Sequence, residues 1–274
     1  VQLLLPARFV QILVEVTLLV EDPYSHERHA KIARRFQVVA GKDTQTARED
    51  RKTLGKPEFR REIGHGPSLE RATAETIVPA EYRPPARRGD LLHAVQDGAE
   101  IIGLIDGVFH QESAVAHREI LTAIKKGVRV VGASSMGALR AAEMDTLGMT
   151  GIGEVYRMYK SGDLVSDDEV ALVFDPESGI SLSEALVNIR FTLREAEQQE
   201  IITPKDHATL LAAAQAVFYP QRTYGRIVSE AGAAIDQETR ERFLAWVKFH
   251  AVDQKRKDAI AALEHIKRLT SGTV

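Results

Sequence analysis

Ile101-Ile102-Gly103-Leu104-Ile105-Asp106-Gly107, followed by Val128-Arg129-Val130-Val131-Gly132-Ala133-Ser134-Ser135-Met136-Gly137, is the stretch that decides the fold. The first run is short, apolar and closed by Asp-Gly, the pattern of a parallel strand buried on both faces. Between the runs, Ala116, Ile120, Ala123 and Ile124 recur at helical spacing. Lys125 and Lys126 fill the last turn of that helix and Gly127 closes it. The second run is another buried strand, leading through Gly132-Ala133-Ser134-Ser135 into a helix over 136–144. A βαβα order of this kind predicts an α/β fold built on a small parallel βαβ-type sheet.

Outward from that unit the text changes. Beyond Gly153 it turns helical, with helices expected over 154–160, 182–199, 204–218, 223–231, 238–250 and 252–269. This makes residues 181–274 a helical C-terminal layer or subdomain set against the α/β core of 61–180. Thr203-Pro204 reads as a helix start, with threonine as cap and proline in the first turn. Gly66-Pro67-Ser68 marks a loop, 69–78 a helix, and Pro84-Pro85 with Arg87-Arg88-Gly89-Asp90 a break. Residues 1–60 lack sustained periodicity after an apolar start. They read as an appendage, disordered in part over 41–57 and dispensable for partner binding.

The 274 residues suffice to bury a core without disulfides. With 36 basic and 39 acidic side chains the net charge is −3, which supplies no global field for nucleic acid or an anionic membrane. There is no cysteine, so thiol nucleophiles, disulfides and thiolate metal sites are excluded and a cytoplasmic setting is expected. Residues 1–20 approach the length of a membrane span, but Arg8 and Glu15 interrupt them and no basic n-region precedes them. No cofactor fingerprint or metal-ligand spacing occurs. Asp167-Asp168-Glu169 reads as a solvated or contact-making acidic loop, because three adjacent carboxylates cannot all face one ion.

Crossovers between parallel strands are right-handed, so Asp106 and Ser134-Ser135 should reach the same carboxyl edge of the sheet, where open α/β sheets place their sites. Ser135 would then begin a helix, with the amides of Met136 and Gly137 and the positive helix end available to a developing anion. A serine there also caps helices, and Gly-x-Ser-x-Gly is met by neither Ser134 nor Ser135. Both readings stand on spacing alone. Lys125 and Lys126 lie at the far end of the crossover helix, about 20 Å from that edge. His117 and Arg118 begin that helix and should lie nearer to it. His117 titrates near neutrality, whereas Arg118 stays protonated.

The same residues resemble the TfuA family. The matching text comprises Gly66-Pro67-Ser68-Leu69, Ile105-Asp106-Gly107-Val108-Phe109, His117-Arg118-Glu119-Ile120-Leu121, Gly132-Ala133-Ser134-Ser135-Met136-Gly137-Ala138-Leu139-Arg140-Ala141-Ala142-Glu143, Asp167-Asp168-Glu169-Val170-Ala171 and Asn188-Ile189-Arg190-Phe191-Thr192-Leu193. The resemblance implies a partner of YcaO-type enzymes in backbone thioamidation of ribosomal peptides. Such a partner recruits and hydrolyses a thiocarboxylated ThiS-like sulfur carrier and meets the precursor peptide indirectly. It implies a hydrolase-like site with a serine–lysine pair. Ser135 takes the serine, ahead of Ser134 and Ser68, and Met136 and Gly137 take the oxyanion positions. Ser68, Asp106, Arg140 and Glu143 are carried over as substrate or partner contacts. The chain departs from the family in two places. Arg118 stands where relatives have lysine, so either His117 takes the base role or the catalytic activity is altered. Phe59-Arg60-Arg61-Glu62-Ile63 is charged where relatives have an apolar strand, so the first strand is either distorted or supplied from the N-terminal segment.

Two other functions compete. One is a non-catalytic adaptor bridging YcaO and the carrier. The other is a patatin-like serine hydrolase, whose aspartate would follow the serine in the chain, whereas Asp106 precedes Ser135. Homo-oligomerisation is left open.

Overall fold

The computed structural model describes residues 68–107, 114–175 and 181–271, together with the backbone of 10–13. Five parallel strands make one sheet: β1 (Val10–Leu13), β2 (Glu81–Arg83), β3 (Ile101–Leu104), β4 (Arg129–Ala133) and β5 (Thr150–Ile152). Their spatial order is β2-β1-β3-β4-β5. The register pairs Gln11 with Glu81 and Ile102, and Gly132 with Leu104 and Gly151. The two edge strands have three residues each, which leaves little unpaired backbone open to another chain.

The strand faces follow from side-chain alternation. Ile101, Ile105, Val131 and Ala133 enter one core, while Ile102, Leu104 and Val130 enter the other. The first face is covered by α1 (Arg71–Ile77) and, from the far end of the chain, by α10 (Gln254–Ser271). The second is covered by α2 (Asp90–Gln96), α3 (His117–Lys125) and α4 (Met136–Met144). A short α5 (Glu154–Ser161) leads into the helical region. There α6 (Leu186–Gln198), α7 (Pro204–Ala216), α8 (Tyr224–Ala231) and α9 (Gln237–His250) share their own core around Ile189, Leu193, Leu210 and Phe243. The expected parallel α/β core and helical layer are therefore present. Thr203 caps α7 by accepting the Asp206 amide, as its sequence predicts.

One expectation is corrected. Residues 1–60 are not wholly an appendage, because Val10–Leu13 pairs on both sides and lies between β2 and β3. A central strand is covered on both faces, so the charged Phe59-Arg60-Arg61-Glu62 text suits that slot poorly and Val10-Gln11-Ile12-Leu13 suits it better. The expectation for 41–57 lies outside the described residues. Among the described residues no helix is long and apolar enough to cross a membrane.

The acidic run is also placed. Arg190 reaches both carboxylate oxygens of Glu169, at 2.9 and 2.7 Å. Buried Arg222 donates to the Asp168 carboxylate at 2.6 Å and to its carbonyl at 3.2 Å. Asp168 and Glu169 thus fasten the 167–169 turn to the helical region, where a solvated or contact-making acidic loop was expected, and Asp167 stays exposed.

Candidate active site

The order 2-1-3-4-5 reverses direction between β1 and β3, and the carboxyl ends at such a reversal form the crevice where doubly wound sheets bind ligands. Asp106 leaves β3 at that point and is fully buried. Ser68, just before α1, donates to Asp106 Oδ1 at 2.7 Å. Ser134 and Ser135 come from the turn between β4 and α4, and both are fully buried.

This turn is sharp. Ser134 holds φ at 68°, one of two described non-glycine residues with positive φ, and the Ser135 amide folds back on the Ala133 carbonyl at 2.8 Å. Such a γ-turn is strained, and strain of this kind collects at functional sites. Two glycines allow it. A methyl group at Gly137 would overlap the Leu104 carbonyl, and one at Gly132 would overlap the Gly137 carbonyl. The start of α4 therefore lies directly against β3 and β4.

The partner of Asp106 comes from the C-terminal helix expected over 252–269, at a residue that the sequence reading did not single out. Lys255, near the start of α10, is 1% exposed and places Nζ 3.9 Å from Asp106 Oδ1, while donating to the Val170 carbonyl at 2.9 Å. Burial pushes the Asp106 carboxyl above its ordinary range, against the opposing pull of Lys255, Ser68 and Ser135. Burial pushes the Lys255 amine below its ordinary value, against Asp106, Asp253 and Glu184. Ser135 is thus close enough to influence Asp106, yet its hydroxyl completes no hydrogen bond with a described residue. The same holds for Ser134 Oγ and Asp106 Oδ2. Buried polar atoms are nearly always partnered, so three orphan oxygens at one sheet edge point to a site built for a ligand or reaction.

The other expected residues sort into two groups. His117 donates to or accepts from Glu143 at 2.7 Å, and Arg140 donates to the same carboxylate oxygen at 2.7 Å and to the Val115 carbonyl at 3.0 Å. These three, with Arg88, Leu139 and Met136, line a groove of about 680 Å³. Arg118 is exposed and bonds to neither serine, and His117 is likewise engaged away from them. They begin α3 on its solvent side, and the structure brings neither of them to Ser135. The amide of Gly137 is also spent, on the Ile105 carbonyl at 3.1 Å. Met136 keeps its place, because the first amide of a helix has no intrahelical acceptor. It follows Ser135 directly and lines the groove as well, which connects the two sets.

Residues 106–223 match the family model for TfuA-like protein. The chain carries a TfuA-like domain. The match begins at Asp106 and encloses both serines of the turn between β4 and α4, while Ser68 and Lys255 fall outside it. No curated protein matches the chain.

Lys255 had a readable signal. Residues 255, 259, 262, 266 and 269 follow a helical stripe, and Ala259, Ala262 and Ile266 on it are fully buried. A lysine on the apolar stripe of a helix needs a buried partner. The adjoining Arg256-Lys257 conceals it, because the run reads as a solvated basic patch.

Proposed function

We propose that this TfuA-like chain hydrolyses the thiocarboxylate of a ThiS-type sulfur carrier and so supplies sulfide to a YcaO-type enzyme that thioamidates a ribosomal peptide. The observation that supports it is the buried Ser135–Asp106–Lys255 cluster with its orphan oxygens, inside a strained strand-to-helix turn. Strand-to-helix turns of this kind present the nucleophile in α/β hydrolases. Ser135 is preferred to Ser134 because the amide after a nucleophile should be free to meet the oxyanion. The amide after Ser134 is committed to Ala133, whereas Met136 begins the helix.

In this reading Ser135 Oγ bonds to the thiocarboxyl carbon and its proton passes to Asp106, whose ionised form Lys255 maintains. The C–S bond breaks and sulfide leaves with that proton. Water then cleaves the seryl ester, giving a carrier carboxylate and restoring the hydroxyl. One water enters and one hydrogen sulfide departs. Lys255 takes the lysine role that the sequence assigned to the position of Arg118. The groove beside Met136, with Arg140 and Glu143 on its wall, holds the carrier's tail.

The adaptor reading draws on the complete burial of both serines, since a covered hydroxyl meets no substrate. Quenching the reaction with carrier and analysing the tryptic peptide 130–140 by mass spectrometry tests the choice. A carrier fragment esterified to Ser135 supports hydrolysis. Carrier bound without any ester, and without sulfide release, supports bridging.

A further inference from the structure

Asn188 on α6 is 4% exposed, and each end of its amide is committed to the beginning of α10. Its Oδ1 accepts the backbone N–H of Lys255 at 3.1 Å. Its Nδ2 donates to Asp253 Oδ1 at 3.1 Å and to Glu184 Oε1 at 3.0 Å. Asp253 in turn accepts the Arg256 amide at 2.9 Å, which satisfies a first-turn amide of α10. One carboxamide therefore ties the capping residue and the Lys255 amide of α10 to α6, and separates two carboxylates.

We infer that Asn188 is the positioning residue for Lys255, fixing the start of α10 so that the amine meets Asp106 while the flanking carboxylates stay apart. The charged groups facing Lys255 are Asp106 beyond β3, Glu184 before α6 and Asp253 before α10. Asparagine suits this place because it accepts one hydrogen bond and donates two without adding charge. Aspartate would keep the acceptor and lose both donors, and would set a third carboxylate against Glu184 and Asp253.

The role of Lys255 in hydrolysis rests on the proposed function, but its protonation is measurable without it. The test is an NMR titration of labelled lysines in the full chain, with Lys255 assigned by Lys255→Arg, in the wild type, Asn188→Asp and Asp253→Asn. Asp253→Asn keeps the cap and the contact with Asn188 while deleting one charge. The Lys255 titration should move up by about one pH unit in Asn188→Asp and down by about one in Asp253→Asn. The pH profile of kcat should move with it at unchanged KM. A buried asparagine that serves only packing would lower thermal stability and leave both Lys255 titrations in place, which would overturn the inference. If Asn188→Asp does not fold, Asp253→Asn alone decides, since an unmoved Lys255 there shows that this network does not govern the amine. Absence of sulfide release by the wild type would sink the hydrolase reading and leave the titration result standing.

Discussion

Lys255 Nζ lies 3.9 Å from Asp106 Oδ1, with both side chains inaccessible to solvent. Desolvation drives each toward its neutral form, and each partly restores the other's charge. Removing one member leaves the other charge buried and uncompensated. Lys255→Met should therefore cost about 3 kcal/mol or more at neutral pH, and adding Asp106→Asn should recover much of it. The sign with pH follows from the raised carboxyl. Without Lys255, folded Asp106 binds a proton more readily than the unfolded chain does, so stability falls as pH rises above the ordinary carboxylate range. Melting temperatures of Lys255→Met across pH 4 to 8 should fall further behind the wild type with rising pH. A constant gap would show that packing, not charge, sets the cost.

The serine turn predicts a difference between neighbouring positions. Ser134 sits at φ 68°, where a β-branched side chain is strained and glycine is not. Ser134→Val should destabilise by about 2 kcal/mol, with Ser134→Gly near wild type or above it. Equal losses in urea melts of the two variants would show that the turn stores no strain.

Gly137 carries no free amide for chemistry, but it permits contact. A methyl group there meets the Leu104 carbonyl, which is fixed in β3 and cannot yield as a flexible side chain can. Gly137→Ala should cost about 3 kcal/mol and lower sulfide release along with the folded fraction, with little change per folded molecule. Circular dichroism beside active-site titration separates these quantities. A fully folded but inactive variant would return Gly137 to the oxyanion site.

The N-terminal strand gives a prediction opposite to the sequence expectation. A chain beginning near Glu58 loses β1, which pairs with both β2 and β3. It should be insoluble or melt without cooperativity, where a dispensable appendage would leave the melting curve intact.

The sheet's centre was legible because β3 and β4 are apolar runs separated by a periodic helix, and local pattern suffices for such a unit. Helix α4 appears over the expected 136–144. The edge strands β2 and β5 were not legible, since three residues carry too little alternation to read. Of β1 the sequence carried only one of two readings, a first strand supplied from the N-terminal segment, because its partners at Glu81–Arg83 and Ile101–Leu104 lie far along the chain and no local pattern selects Val10–Leu13. In the site, Asp106 and Ser135 were found because they lie where a strand ends and a helix begins in the local βαβ unit, and Ser68 through the family resemblance. His117 and Arg118 were drawn in by their place in the chain, and the structure turns them to solvent. Lys255 was missed because Arg256-Lys257 mask its place on the apolar stripe, and because that stripe shows burial without naming the partners, Asp106 and Val170, which lie far away in the chain.

The central claim is that Ser135 acts as a nucleophile sustained by Asp106 and Lys255, and sulfide release from a thiocarboxylated carrier tests it most directly. Wild type, Ser135→Ala, Ser134→Ala and Lys255→Met, each checked for folding, should be assayed with the carrier in excess and for binding to the YcaO partner. The account predicts release by the wild type, a loss of at least about a hundredfold in Ser135→Ala and Lys255→Met, and retention in Ser134→Ala. Partner affinity should stay within about tenfold throughout. Undiminished sulfide release by folded Ser135→Ala, or none by a wild type that still stimulates its YcaO partner, would contradict it.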